Sequence, residues 1–171
     1  RPDAGGRTLG FPLAGRTDGT GALKPSDDGA FEFVCASGAQ GKCVRFGYAP
    51  WRTAPDGSPM RPLYDACVRM VRADYCGDGR SFTRDGTMIG IADVAGVNAV
   101  GAAELADEGL TFEAAWTAEG ATCLARPRLE DVDTIESVVG VCPALEGRAG
   151  PAACSPESAG GMIVNYSRPA R

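Results

Sequence analysis

Residues 110–126 read Leu-Thr-Phe-Glu-Ala-Ala-Trp-Thr-Ala-Glu-Gly-Ala-Thr-Cys-Leu-Ala-Arg. Leu110, Phe112, Ala114 and Trp116 alternate with smaller or polar residues, which is the period of a half-buried strand. Glu119-Gly120 turns the chain, and 121–126 returns along it, so the stretch predicts an antiparallel β-hairpin. The same reading extends outward. Phe31-Glu-Phe-Val-Cys35, a Gly-containing turn and Lys42–Tyr48, where Val44, Phe46 and Tyr48 alternate with Cys43 and Arg45, predict a hairpin over 31–48. Asp85-Gly86 between strand-like residues predicts another over 81–91, because Asp-Gly favours the mirror-image turns that match strand twist. Residues 162–166 predict a closing strand.

One segment breaks the pattern. In 62–75, Leu63, Cys67, Met70, Val71 and Tyr75 fall on one helical stripe, with Asp65, Arg69 and Arg72 opposite. Pro62 suits a first helical turn, and Gly77 and Gly79 follow the end. Shorter helices are expected within 99–106 and from about Asp133 to Val141. The expected class is α+β, mostly β: antiparallel hairpins packed with one amphipathic helix and stabilised by disulfides. The 24 glycines and 12 prolines among 171 residues agree with many turns and short elements. Residues 1–30 read as an extended Gly/Pro-rich arm, in which Leu9–Leu13 alternates like an edge strand; residues 31–171 read as a single domain.

Composition closes off several functions. The net charge of −5 provides no counterion release on a phosphate backbone, so nucleic acid is not an expected partner. No histidine occurs, which removes Ser-His-Asp and Cys-His catalysis and histidine-ligated zinc or haem. No phosphate-cradling Gly-Lys-Ser/Thr loop is present. No membrane-spanning run occurs; the apolar tract 88–106 is broken by Asp93, Asn98 and Glu104. The chain opens on Arg1-Pro2, and the expectation is that a signal segment, with or without an upstream domain, has been removed.

The seven cysteines Cys35, Cys43, Cys67, Cys76, Cys123, Cys142 and Cys154 show no metal-binding C-x-x-C spacing and read as disulfides of an oxidising compartment, with one left over. Several maps are open. Cys35 and Cys43 would pair across the first hairpin, and Cys142 and Cys154 would close the irregular Pro-rich stretch between them. Cys67 and Cys76 would be about 13 Å apart in a continuous helix, too far to bridge unless the chain folds back after the helix. Alternatively Cys67 pins the helix to Cys123 or Cys43. Under local pairing Cys123 is the odd one.

The run Ala66-Cys-Val-Arg-Met-Val-Arg-Ala-Asp-Tyr-Cys-Gly-Asp-Gly79, followed by Thr83-Arg-Asp-Gly-Thr87, resembles the bacterial ADYC-domain family, named for the tetrapeptide Ala73-Asp74-Tyr75-Cys76. Phe33-Val-Cys35, Gly41–Trp51 and Phe112–Trp116 with Cys123 carry the resemblance further, over 31–126. The resemblance implies a secreted or periplasmic bacterial setting and assigns no activity. Ala73, Asp74, Tyr75, Cys76, Gly77, Asp78 and Gly79 are taken as its structural motif.

Candidate sites follow from residue chemistry. Asp74, Asp78 and Asp85 offer carboxylates for calcium, although their spacing is not that of an EF-hand loop. The competing reading has Asp74 accepting backbone N–H groups to fix the turn after the helix, and Asp85 serving its own turn. Cys67 lacks a base and reads as a buried cystine, not a nucleophile. Asp65 and Arg69, at i and i+4, read as an intrahelical pair. Trp51, with Tyr48, is the candidate binding platform, whereas Trp116 points inward with Phe112. The Asn165-Tyr-Ser167 sequon carries little weight. No cofactor is expected. The favoured function is a non-catalytic extracytoplasmic structural or interaction module, an accessory subunit or surface-binding domain with a protein partner met through the N-terminal arm. Against it stand a carboxylate-dependent hydrolase of glycans, drawing on Glu32, Asp74, Asp78, Asp85 and Glu113, and a calcium or small-ligand module.

Overall fold

A computed structural model describes residues 10–17, 23–24, 28, 30–35, 38–157 and 159–168. Its centre is a four-stranded antiparallel sheet in the order β5 (Met88–Asp93), β8 (Ile163–Arg168), β6 (Thr111–Thr117), β7 (Gly120–Leu124). The hairpin predicted over 110–126 is β6 and β7, in register from Thr117 opposite Gly120 to Ala114 opposite Leu124, with an irregularity between Ala115 and Trp116. The closing strand does not lie at an edge. β8 runs between β5 and β6, pairing Gly90 with Tyr166 on one side and Phe112 with Tyr166 on the other.

The long amphipathic helix is α2 (Arg61–Arg72), with Pro62 in its first turn. Leu63, Cys67, Met70 and Val71 share one core with Ile91, Ala114, Trp116, Leu124 and Ile163 of the sheet. Tyr64, Ala66 and Val68 are buried too, because a second layer covers the other side of the helix, and Arg69 is buried under the β6–β7 turn. That layer is α1 (Ala39–Arg45), which is bonded to α2 through Cys43–Cys67, together with a two-stranded sheet of β1 (Gly10–Ala14) and β4 (Phe31–Cys35). A second two-stranded sheet pairs β2 (Arg16–Thr17) with β3 (Leu23–Lys24). On the far face of the main sheet, α3 (Ala102–Asp107) contributes Leu105 to a cluster with Leu110 and Tyr166. Cys154 forms another with Ala115, Cys123 and Ala125. α4 (Ile135–Val141) opens with a capping box, in which Thr134 and Ser137 each accept the other's backbone N–H.

Two predicted hairpins are corrected. Residues 42–48 do not return along β4; Ala39–Arg45 is helical. Ala, Gln and Lys favour a helix locally, and β4 finds its strand partner in β1, with Phe11 opposite Val34. The alternation of Val44, Phe46 and Tyr48 is therefore incidental. In 81–91 the Asp85-Gly86 turn forms, but no strand precedes it. Phe82 N–H bonds the Arg72 carbonyl and the Phe82 ring packs on Tyr75, so that arm is drawn to the end of α2 and β5 pairs with β8 instead. The edge strand expected in the N-terminal arm is real and integral: Leu13 is fully buried in the main core. Arm residues 1–9, 18–22, 25–27 and 29 lie outside the described residues.

The bridges are Cys43–Cys67, Cys76–Cys142 and Cys123–Cys154, with Cys35 outside them and exposed. The pairings Cys35–Cys43 and Cys142–Cys154 do not form, and Cys123 is not the odd cysteine. Once 39–45 is a helix, Cys43 faces α2 and not β4. No helix among the described residues is long and apolar enough to cross a membrane.

A non-reducing peptide map should return these three bridges. Replacing both members of Cys76–Cys142 by serine should cost about 3–5 kcal/mol, since that loop spans 66 residues. A map pairing Cys142 with Cys154 would contradict this arrangement.

Candidate functional site

The end of α2 carries the densest polar chemistry in the protein. Ala73 adopts a left-handed conformation (φ 51°, ψ 41°), the one described non-glycine residue at positive φ. It closes the helix in a Schellman arrangement: Ala73 N–H bonds the Met70 carbonyl at 3.0 Å and Asp74 N–H bonds that of Arg69 at 2.9 Å. A glycine would adopt this conformation without strain, but the Ala73 side chain is wholly buried and fills core space.

Asp74 is fully buried. Its Oδ2 accepts from Arg69 Nη1 at 2.6 Å and from Gly79 N–H at 2.9 Å. It therefore fixes the loop after the helix, as one of the two sequence readings had it. Arg69 is not on the solvent face, and its ion pair is with Asp74; it acts on Asp65 only through its charge. It is buried, and Asp65 pairs with Arg61 at 3.0 Å. Arg69 also donates from Nε to the Ala118 carbonyl, in the β6–β7 turn. That turn lies against the loop so closely that a Cβ on Gly77 (φ 72°) would sit 1.6 Å from the Glu119 carbonyl oxygen; only glycine fits.

Tyr75 lies on Trp116 with ring centroids 5.4 Å apart, and its hydroxyl donates to Glu113 Oε1 at 3.1 Å. The same hydroxyl accepts from Arg128 N–H at 2.8 Å. Burial, followed by the neighbouring Glu113 carboxylate, pushes the Tyr75 phenol well above its ordinary range. Tyr48, expected at a binding platform, is instead in the core. Its hydroxyl donates to Asp93 at 2.8 Å, and burial raises its pKa as well. Asp93 also accepts the N–H groups of Ala95, Val97 and Asn98, so the 93–98 loop is wrapped around one carboxylate.

The residue that sequence reasoning missed is Arg128. It and Glu113 are fully buried. Arg128 Nε and Nη2 contact Glu113 at 2.9 and 2.8 Å. Nη2 also donates to the Met70 carbonyl at 2.7 Å, and Nη1 donates to the Val71 carbonyl at 3.0 Å and to Thr83 Oγ1 at 3.3 Å. All five guanidinium N–H groups thus have acceptors, and two of those are carbonyls at the C-terminal end of α2, where a cation is favoured. The signal for Arg128 in the sequence is faint: an arginine between Pro127 and Leu129, in a stretch with no periodicity.

The candidate calcium ligands do not come together. Asp74 is paired with Arg69, Asp78 binds Arg80 through both side chain and backbone, and Asp85 is exposed in its turn. Among the described residues no three acidic or cysteine side chains gather to hold a metal ion. Of the hydrolase candidates, Asp74 and Glu113 are each held in a buried ion pair, and Glu32 stands opposite Leu13 in the β1–β4 sheet. Asn165 of the sequon is buried and accepts from the Trp116 indole N–H at 2.7 Å, confirming Trp116 as core. Two clefts lie on the far face of the main sheet on either side of Pro156. One, of about 260 Å³, is lined by Phe112, Ala125, Arg126 and Cys154; the other, of about 180 Å³, by Ala92, Val94, Met162 and Val164. Neither contains a sequence-predicted catalytic carboxylate.

Trp51 is the large hydrophobic residue that the structure leaves out of the core on a well-held loop. It is 61% exposed. Around it, Arg52 N–H bonds the Ala49 carbonyl, Met60 N–H bonds that of Arg52, and Ala54 N–H bonds that of Ser58, all within 3.1 Å. Asp56 Oδ1 accepts both the N–H and the hydroxyl of Ser58, which holds its carboxyl below the usual range. Ala49, Ala54 and Met60 are buried and anchor the loop from beneath.

Replacing Arg128 by methionine should cost about 3–5 kcal/mol in urea unfolding, since Glu113 is left as an unpaired buried charge; adding Glu113→Leu should recover a substantial part. A loss below about 1 kcal/mol for Arg128→Met would show the pair is not an anchor. Tyr75 and Tyr48 hold their protons more tightly folded than unfolded. Their contribution is therefore fully present below the unfolded tyrosine pKa, near 10, and is lost as pH climbs from there towards the folded values. Unfolding midpoints should be flat with respect to these groups up to that range and fall above it, less steeply in Tyr75→Phe.

No curated protein and no solved structure matches the chain. The family model described as the ADYC domain matches residues 1–130. The match takes in the N-terminal residues, α1, α2 and its terminal loop, and the β6–β7 hairpin, together with Arg128. It stops before β8, the strand between β5 and β6. A chain truncated after residue 130 should therefore fail to give a cooperative unfolding transition, whereas one truncated after 168 should retain it. The matched span covers well over half of the sequence and contains every residue of the network around Asp74, Tyr75 and Arg128; the chain belongs to the ADYC domain family.

Proposed function

We propose that the chain is a non-catalytic extracytoplasmic interaction module of bacterial origin, an accessory subunit or surface-binding domain, and that its contact point is the loop around Trp51. The observation that carries the reading is an indole 61% exposed on a loop whose backbone is already hydrogen-bonded. Tryptophan and arginine dominate binding energies where they are presented rigidly, and a pre-ordered loop loses little entropy on association. Three disulfides favour an oxidising compartment. The arginine-heavy basic content, with Lys24 and Lys42 the two lysines, suits a GC-rich bacterial genome. The arm becomes a weaker contact candidate, because its strand β1 is paired with β4 inside the fold. The hydrolase reading loses support because Asp74 and Glu113 are spent on structural ion pairs.

Trp51→Ala should leave unfolding stability within about 0.5 kcal/mol of the parent, as expected for an exposed residue. A photoreactive residue placed at the exposed position 53 should crosslink the natural partner in gently isolated material, and Trp51→Ala should abolish the crosslink. Turnover of a glycan or peptide by the purified domain, lost in Asp85→Asn with folding intact, would replace this reading with an enzymatic one.

A further inference from the structure

We propose that the ligand of this loop is an anionic polysaccharide bearing uronic acids, one sugar ring stacked on Trp51 and its carboxylates met by Arg52, Arg45 and Lys42. The inference rests on the interaction-module reading and specifies its partner. Charge is the first ground. The chain carries 17 basic and 22 acidic residues, yet from Gly38 to Arg61 the charged residues are Lys42, Arg45, Arg52 and Arg61 against Asp56 alone. Arg61 is engaged with Asp65. Lys42, Arg45 and Arg52 enter no ion pair among the described residues, and both arginines are exposed.

Lys42, Arg45, Trp51 and Arg52 follow one another closely along the chain. Lys42 and Arg45 occupy the last turn of α1. The chain then doubles back, with Tyr48 N–H on the Cys43 carbonyl and Arg52 N–H on that of Ala49. The stretch from Arg45 to Arg52 is thus folded upon itself, with exposed Arg45 at its start and exposed Trp51 and Arg52 at its end. An unpaired positive patch on a negative protein attracts an anion at long range and repels acidic surfaces elsewhere. Arginine meets a planar carboxylate through two parallel N–H bonds.

The second ground is the solitude of the indole. The other exposed large hydrophobics, Met88, Val94, Val132 and Val141, belong to other parts of the chain. Around Trp51 the exposed residues are Arg52, Thr53, Pro55, Asp56 and Pro59. A protein partner of ordinary size covers about 800 Å² per side with a contiguous apolar centre, which one tryptophan in a polar setting does not supply. A pyranose needs only a single aromatic platform for its C–H face, with polar groups at the rim.

The test is isothermal titration of the intact chain with polygalacturonate oligosaccharides, with a neutral oligosaccharide of equal length and polyglutamate as comparison probes. Polygalacturonate should bind best and weaken with salt. Trp51→Ala should lose about tenfold or more, Trp51→Phe should recover part of it, and Arg45→Glu/Arg52→Glu should lose a comparable amount. All these variants should unfold as the parent does. Polyglutamate binding as tightly, with Trp51→Ala unaffected, would overturn the proposal in favour of simple charge attraction. Equal binding of the neutral sugar would overturn its anionic part, and no binding of any sugar would overturn it entirely. In that last case a protein crosslinked through position 53 would still uphold the interaction module, so the two readings fail separately.

Discussion

The structure turns on a buried guanidinium. Arg128 gives all five of its N–H groups to protein acceptors, two of them carbonyls at the end of α2 and the remainder shared between Glu113 and Thr83. A lone buried charge costs several kcal/mol, so this arrangement is tolerable only when complete. Its completeness fixes three separate segments at once: the C-terminus of α2, the middle of β6 and the chain leaving β7. The Tyr75 hydroxyl adds a fourth, because it donates to Glu113 and accepts from Arg128 N–H. Hydrophobic burial between α2 and the sheet supplies most of the driving force, but it is non-directional. The Arg128 network selects one helix position along the sheet.

The family tetrapeptide acquires a physical meaning at the same place. Ala73 reverses the chain, Asp74 locks the reversal through Arg69 and Gly79, Tyr75 joins the Glu113–Arg128 pair under Trp116, and Cys76 bonds covalently to Cys142. Four consecutive residues thus make four unlike connections: to the helix, to the following loop, to the sheet and to the C-terminal region. Such a constellation explains a strong sequence signature without any ligand, and it moves the search for function from the motif to the surface.

What could be read from the sequence was whatever depends on neighbours. The β6–β7 hairpin and α2 follow from alternation and helical period, and α4 begins close to where its capping residues place it. The Asp85-Gly86 signal was true as a turn and misleading as a hairpin, since a turn dictates reversal and not pairing. Residues 39–45 were misread because two glycines and a short alternation weigh equally for strand and helix. The choice falls to the helix preference of Ala, Gln and Lys and to the pairing of β4 with β1, which no local pattern announces. Arg69 looked solvent-facing because a helical wheel of α2 cannot show that a β-turn covers that side. Of the two binding-platform candidates, Trp51 stands where a loop reading puts it, outside the core, whereas Tyr48 is buried. The Glu113–Arg128 pair was out of reach: nothing local in either segment marks a partner on the other.

The main sheet shows how strongly this fold depends on distant chain. β8 is its last strand in sequence and lies inside it, so β5 and the β6–β7 hairpin have no direct pairing until the C-terminal residues arrive. Two of the three disulfides, Cys76–Cys142 and Cys123–Cys154, tie that late region to elements made earlier. Constraining the unfolded chain in this way lowers the entropy lost when β8 inserts. Bridge formation is thus part of the physics of the fold. The same bridges leave the α1–α2 loop untouched, and that loop is anchored instead by Cys43–Cys67 and by its own backbone hydrogen bonds. The buried ion pairs Arg69–Asp74 and Glu113–Arg128 are therefore concentrated where the C-terminal end of α2 meets the sheet, while the exposed indole stands on the loop that precedes its N-terminus.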